Sequence, residues 1–304
     1  MIQKYKYSNE EWVDIDRGTP EEIIDVVNTY NVHPVVAHEL TSATRKPRVE
    51  SHNSYIYCIL HFPAFKHTHG DDPNQEVDFI IGKEVLITVR YDDIDAIHKF
   101  GKTLEVKEVL WKDRTNKPNQ EIFIHMLREL YGALFDELDY IEDQIDDITK
   151  QIFLGKERKM VVAISEMTRT LLDFKFVTDL HRDVLDTLIH TGGEMFGEDF
   201  AENMKIIKLE YQKINETVKS SLEMLRELRE TNDSLLSTKQ NEVMKQLTVM
   251  SFVILPLNLI SWIFAMRTEG MPIIDNPNAF WIVITLMLTS VAITVSYALH
   301  KKWI

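Results

Sequence analysis

The chain has 304 residues and a net charge of −14, and its charge is unevenly spread. After residue 246 the charged residues are only Arg267, Glu269, Asp275, Lys301 and Lys302, so residues 1–246 hold the other 31 basic and 46 acidic residues, a net of −15. That balance excludes the basic face of a nucleic-acid-binding protein and suits a surface that attracts cations. A single cysteine, Cys58, excludes an intrachain disulfide framework and fits a reducing compartment. The first residues, MIQKYKYSNEEW, lack the apolar stretch of a secretory signal.

The first hundred residues mix helix and strand. Residues 19–30 predict a short amphipathic helix, with Thr19 as N-cap, Pro20 in the first turn, and Ile23, Val26, Val27 and Tyr30 on one face. Residues 33–40 repeat the pattern in brief. TSATRKPR follows, and its basic cluster Arg45, Lys46 and Arg48 is too small for a nucleic-acid or lipid patch, so it reads as a solvent loop. Residues 55–65 are rich in β-branched and aromatic side chains, and residues 77–89 read as a hairpin turning at Gly82-Lys83. Between them KHTHGDDPNQ is a polar turn. Its His67, His69, Asp71 and Asp72 are metal-capable, but Gly, Asp, Pro and Asn here serve turn geometry better than they serve a metal. The chain has no P-loop, dinucleotide fingerprint, zinc-ligand spacing or Ser/His/Asp arrangement, so it does not read as an enzyme, and no resident cofactor is expected.

From residue 121 long helices take over. Ile124, Leu127, Tyr131, Leu134, Leu138, Ile141, Ile145, Ile148 and Ile152 recur at spacings of three and four, a seam that packs against another helix. Asp136, Glu137, Asp139, Glu142, Asp143, Asp146 and Asp147 are read as its outer face, either a solvated surface or one that gathers cations. Gly155 marks a turn. A second helix is predicted over 157–190, with Met160, Ile164, Met167, Leu171 and Phe174 inward, ended by Thr191-Gly192-Gly193. A third begins near Phe200 and meets no breaker before Pro256, with Ile207, Tyr211, Ile214, Val218, Ser221, Leu225, Leu228, Asn232 and Leu235 on its seam. Unbroken from 202 to 266, it would be a stalk roughly 95 Å long.

Residues 247–266 and 279–299 are uncharged and long enough to cross a hydrocarbon core. Lys239, Lys245, His300, Lys301 and Lys302 flank the pair, whereas the connecting loop RTEGMPIIDNPN has one Arg and two acids. The positive-inside rule then puts both termini in the cytosol of a multi-pass plasma-membrane protein. The expected organisation is an α/β cytosolic domain (1–120), an acidic helical hairpin (121–200), a stalk helix (201–246), a first span (247–266), an outer loop (267–278), a second span (279–299) and a basic tail (300–304). In class terms this is an α+β cytosolic domain, then a long stalk helix and two transmembrane helices.

Asn241-Glu242-Val243-Met244-Lys245, Leu247-Thr248, Leu255-Pro256-Leu257, Met271-Pro272 and the basic end Lys301-Lys302-Trp303 resemble the CorA family of divalent-cation transporters. WVDI at 12–15 and LITVR at 86–90 agree more loosely. The resemblance implies a funnel-shaped homopentamer in the lipid bilayer, gated by its cytosolic domain, with five copies of the first span around the pore. Divalent cations are its expected partners, magnesium as substrate and as regulatory ligand of cytosolic carboxylates that the matching segments do not identify.

Carried onto this chain, the pore stripe is Asn241, Met244, Thr248, Ser251, Leu255 and Asn258, which recur at helical spacing. Amides and hydroxyls suit the water shell of a hydrated cation, and Met244 and Leu255 suit apolar rings that gate by dewetting. Judged without the family, the same stripe serves helix packing equally well. At the pore mouth the family signature Gly-Met-Asn is replaced by Ala265-Met266-Arg267. At an assumed separation of ~8 Å, each Arg267 costs a doubly charged ion about 1 kcal/mol even in water-like dielectric, unless it pairs with Glu269 or Asp275 or turns outward. Two readings stay open: a cation transporter with a modified mouth, or a CorA-like scaffold or regulator with altered selectivity or no conduction.

Overall fold

The computed structural model describes residues 1–7, 10–44, 46–63, 74–92, 94, 96–102, 118–266, 273 and 277–301. They divide into two compact units, Met1–Arg229 and Glu230–Ile304. The first contains one sheet built from β1 (Ile2–Tyr7), β2 (Glu10–Asp16), β3 (Arg48–Ser51), β4 (Tyr55–Pro63), β5 (Asn74–Gly82) and β6 (Val85–Arg90), in spatial order β1-β2-β6-β5-β4-β3. Neighbours are antiparallel except β2 and β6, which run parallel with Trp12 opposite Leu86 and Asp14 opposite Thr88.

Helices α1 (Pro20–Thr29) and α2 (Pro34–Glu39) cover one face. The cap of α1 forms as its sequence predicts: Glu22 N–H donates to Thr19 Oγ1 at 3.2 Å, and Thr19 N–H donates to the Glu22 carboxylate at 3.0 Å. Val13, Ile15, Ile80 and Ile87 of the sheet meet Ile23, Val26 and Val36 of these helices in a dry core. The opposite face is also covered: Phe123 packs edge-on against Phe79 at 5.2 Å, and Tyr131 against Phe62 at 6.2 Å. Because both faces are buried, β4 and β6 read as continuous apolar runs instead of alternating ones. Each aliphatic side chain so buried contributes about 1.5–3 kcal/mol.

Helices α3 (Pro118–Phe153), α4 (Glu157–Asp179), α5 (His181–Phe196) and α6 (Glu198–Ala265) follow. All nine seam residues of α3 are buried, as are Ile207, Tyr211, Ile214, Val218, Ser221, Leu225, Leu228 and Asn232 of α6; Leu235 is half-buried. Gly155 turns α3 into α4 with a φ of 86°, a conformation that costs a glycine little.

Several expectations fail, each for a tertiary reason. The helix predicted over 157–190 is interrupted at Leu180, where His181 turns inward. Its Nε2–H donates to the His61 carbonyl at 2.6 Å, and Tyr131 Oη–H donates to its Nδ1 at 2.8 Å. The predicted stop at Thr191-Gly192-Gly193 instead lies inside α5. A Cβ on Gly192 would sit 2.2 Å from the Phe200 ring, so glycine there permits close helix packing and does not end the helix. Segment 121–200 therefore holds more than a hairpin. Arg48 is not in a solvent loop: it opens β3 and pairs with Glu39 and, at 2.7 Å, with Glu50. Of the seven acids assigned to the outer face of α3, Glu137 is buried. Arg45, His67, His69, Asp71 and Asp72 lie outside the described residues.

Candidate functional site

In the second unit the outer part of α6 accompanies α7 (Ala279–His300). The membrane-length apolar windows of these two helices are only 6% buried, which separates them from the core helix of a soluble protein. Pro256 sits within α6, a position that membrane helices tolerate. Phe280, Trp281 and Trp262 are exposed at the ends of the spans, where aromatic rings settle at a membrane interface.

One face of α6 is half-buried: Val249, Val253, Pro256, Leu257, Ile260 and Phe264. Matching half-buried positions recur along α7 at Val283, Met287, Val291 and Thr294, with Ala298 fully buried. Phe252 stacks on Tyr297 at 6.2 Å to join the helices. At about 100° per residue, Asn241, Met244, Thr248, Ser251, Leu255 and Asn258 centre on roughly the opposite side of α6. All six are exposed, Met244 at 61% and Leu255 at 68%, so this stripe is not used for packing within the chain.

The stripe is chemically mixed. Thr248 Oγ1–H donates to the Met244 carbonyl at 2.8 Å, which spends the hydroxyl hydrogen and leaves the oxygen's lone pairs outward. Among the described residues no hydrogen bond engages the side chains of Asn241, Ser251 or Asn258. A file of amide and hydroxyl oxygens interrupted by two bare apolar side chains can contact water, or the water shell of an ion, without stripping it. Ala265 is the last residue of α6 and Met266 follows it, 65% exposed; Arg267, Glu269, Met271, Pro272, Asp275, Lys302 and Trp303 lie outside the described residues.

The soluble unit holds two buried polar clusters that the sequence reading does not identify. On the α3 side of the sheet, Trp12 Nε1–H donates to Thr88 Oγ1 at 3.0 Å and Thr88 Oγ1–H donates to Asp14 Oδ1 at 2.6 Å. Arg90 donates to Asp14 Oδ2 at 3.0 Å and lies 3.5 Å from Asp16. The parallel pairing of β2 and β6 thus brings the WVDI and LITVR segments together. The legible signal is the single acid of WVDI and the single base of LITVR, segments that are otherwise apolar apart from Thr88. On the other side Glu76, Asp78 and His61 form a second cluster. Between sheet and helices His181 is held neutral, its pKa lowered to about 4 by burial. Among the described residues no group of three or more His, Cys, Asp or Glu is placed to hold a metal ion.

The family model described as CorA-like Mg2+ transporter protein matches residues 9–300. The chain belongs to this family. Its relatives include the cobalt/magnesium transport protein CorA of Thermotoga maritima, 22% identical over 299 residues and aligned over 96% of this chain and 83% of the relative. The cobalt/magnesium transport protein CorA of Methanocaldococcus jannaschii is 24% identical over 260 residues, covering 85% and 80%. The complete structure of the CorA magnesium transporter from Methanocaldococcus jannaschii superposes with a TM-score of 0.85 at 22% identity, covering 99% of this chain and 93% of that one. The CorA-like fold therefore extends over both units. CorA-family proteins are membrane ion transporters and not enzymes.

Proposed function

We propose that this CorA-family chain transports divalent cations, magnesium first, across the plasma membrane as a homopentamer whose first spans line the pore. The observation that carries the reading is the exposed stripe from Asn241 to Asn258, on the side of α6 opposite its half-buried face. Five such stripes facing one axis would present rings of amide and hydroxyl oxygens to a hydrated ion. Magnesium dehydrates reluctantly, so recognition through its first-shell water is the economical route. Both termini would be cytosolic and the cytosolic domain would gate the pore.

The second reading rests on Arg267, which stands where the family signature has Asn. A ring of guanidinium groups would repel the ion, leaving a CorA-like scaffold or regulator with altered selectivity or no conduction. Magnesium uptake by vesicles reconstituted with the full chain separates the two. The transporter reading expects uptake above that of empty vesicles. No uptake by the unmodified chain above that of empty vesicles, with uptake appearing in Arg267→Asn, supports the scaffold reading instead.

Magnesium would also act as a regulatory ligand, held by carboxylates among the net −15 of residues 1–246. Binding to the folded state alone raises thermal stability by mass action. The melting temperature of the full chain is therefore expected to climb with magnesium beyond the effect of matched ionic strength. Equal curves for magnesium and a monovalent salt would count against this site.

A further inference from the structure

Glu76 and Asp78 take alternate positions on β5, so both point to the face covered by α1 and α2. They are 3% and 0% exposed. Thr44 donates to Glu76 twice, from its backbone N–H at 2.7 Å and from Oγ1–H at 3.1 Å. His61 stands opposite Glu76 in the β4–β5 register, with Nε2 3.0 Å from Glu76 Oε2 and 2.8 Å from the Thr44 carbonyl. Asp78 Oδ2 lies 3.0 Å from Tyr57 Oη and 3.1 Å from Tyr91 Oη.

Hydrogens can be counted here. Tyr91 Oη also lies 3.2 Å from the Leu40 carbonyl oxygen. One phenol hydrogen cannot fully serve both, since the carbonyl always accepts and the carboxyl, if ionised, only accepts. A proton on Asp78 resolves the conflict: Asp78 donates to Tyr91, and Tyr91 donates to Leu40. Glu76, two positions away on the same face of β5, adds a like charge that further favours a proton on Asp78.

The surroundings do not supply enough positive charge to keep both acids ionised. Among the described residues His61 is the only basic side chain paired with either. Arg48 on β3 is paired with Glu39 of α2 and with Glu50, and its guanidinium carbon is 5.9 Å from the centre of the Tyr57 ring. The other groups facing the cluster are the Tyr57 and Tyr91 phenols, which burial and the Asp78 charge push up, and the Glu39 carboxylate; the Cys58 thiol, pushed up by burial, points to the opposite face of β4. Two buried carboxylates beside one imidazole leave a net negative charge in low dielectric, and one proton removes it.

We propose that Glu76 and Asp78 hold one proton between them and, with His61, form a clasp that ties residues 40–44 to the sheet and releases them as pH rises. Burial and then the charge of Glu76 hold Asp78 well above the usual carboxylate range. For His61, burial pulls the imidazole down, but its bonds to Glu76 and to the Thr44 carbonyl and the Glu76 charge outweigh that and raise it. Both folded-state shifts are upward. The stabilisation each gives is complete below its unfolded value and is lost as pH climbs through its folded one, so alkali loosens the clasp and acid does not.

Two measurements on the full chain in lipid nanodiscs test it. Infrared difference spectroscopy should find the C=O band of a protonated, buried carboxylic acid at neutral pH, absent from Asp78→Asn. Hydrogen exchange of residues 40–44, corrected for intrinsic chemistry, should lose about tenfold in protection between about pH 7 and about pH 9.5, with a much smaller loss in Asp78→Asn. Should that variant not fold, Glu76→Gln is expected to lose the band and flatten the profile likewise. Absence of the band in the unmodified chain overturns the proposal, as does the same alkaline loss of protection in the unmodified chain and the variant.

Discussion

Asp14→Ala is expected to destabilise the Met1–Arg229 unit by about 3–5 kcal/mol, the cost of removing one partner from a buried ion pair. Asp14 is 3% exposed and Arg90 is 2% exposed. Without the carboxylate, the Arg90 guanidinium loses its 3.0 Å partner and keeps a longer contact to Asp16, and the Thr88 hydroxyl loses the acceptor at 2.6 Å. Two charges are not better than none at such a site: an apolar pair of similar volume is often as stable. The double variant Asp14→Leu/Arg90→Met is therefore expected to recover much of what Asp14→Ala loses. Denaturant unfolding of the full chain in detergent reads both. Stability falls in single domains are ordinarily measured against a total of about 5–15 kcal/mol, so the single variant should be conspicuous. A loss below about 1 kcal/mol would mean that water reaches the pair and that its burial does not govern its energy.

That pair marks the boundary of what the sequence reveals. The seams of α3 and α6, the capping box at Thr19, the hairpin at Gly82 and the two apolar spans all follow from local spacing, because helix period, cap chemistry and turn chemistry are short-range. The interruption at Leu180 has no such signature. Helix-forming residues continue on both sides without proline or glycine, and the break is set by the hydrogen bond His181 accepts from Tyr131 and the one it donates to the His61 carbonyl, partners 50 and 120 residues away. Strand β1, IQKYKY, mixes polar and charged residues with its apolar ones and lies at the sheet edge, so it has no apolar run to betray it. Gly192 reads as a stop by composition and acts as a packing notch because of Phe200, eight residues on. The Asp14–Arg90 pair and the clasp at Glu76 and Asp78 require strand register, which a sequence pattern does not contain. On α6 the spacing of the six stripe residues is legible, and the helix then adds that they share an exposed side opposite the half-buried one.

Leu255→Arg turns that last point into a test of the proposed pore. In a homopentamer with the stripe inward, five guanidinium groups would ring the path at the level of an apolar constriction. At ~8 Å each raises the energy of a doubly charged ion by about 1 kcal/mol in water-like dielectric, and five together cut passage by a thousandfold or more. Flux in reconstituted vesicles is expected to fall to the level of empty vesicles, while the pentamer and its insertion persist because the new charges face water. If Leu255 faced lipid, the same substitution would act differently. An arginine at the centre of a span costs about 2.5–3.5 kcal/mol of insertion per helix, so the protein would be lost from the membrane before any effect on passage was seen. The amount of inserted protein therefore decides how a loss of flux is read. Full insertion with no flux places Leu255 on the pathway; full insertion with unchanged flux removes the stripe from it. Exposure of 68% within a single chain is shared by both arrangements, and what covers that face in the membrane is what the substitution reports.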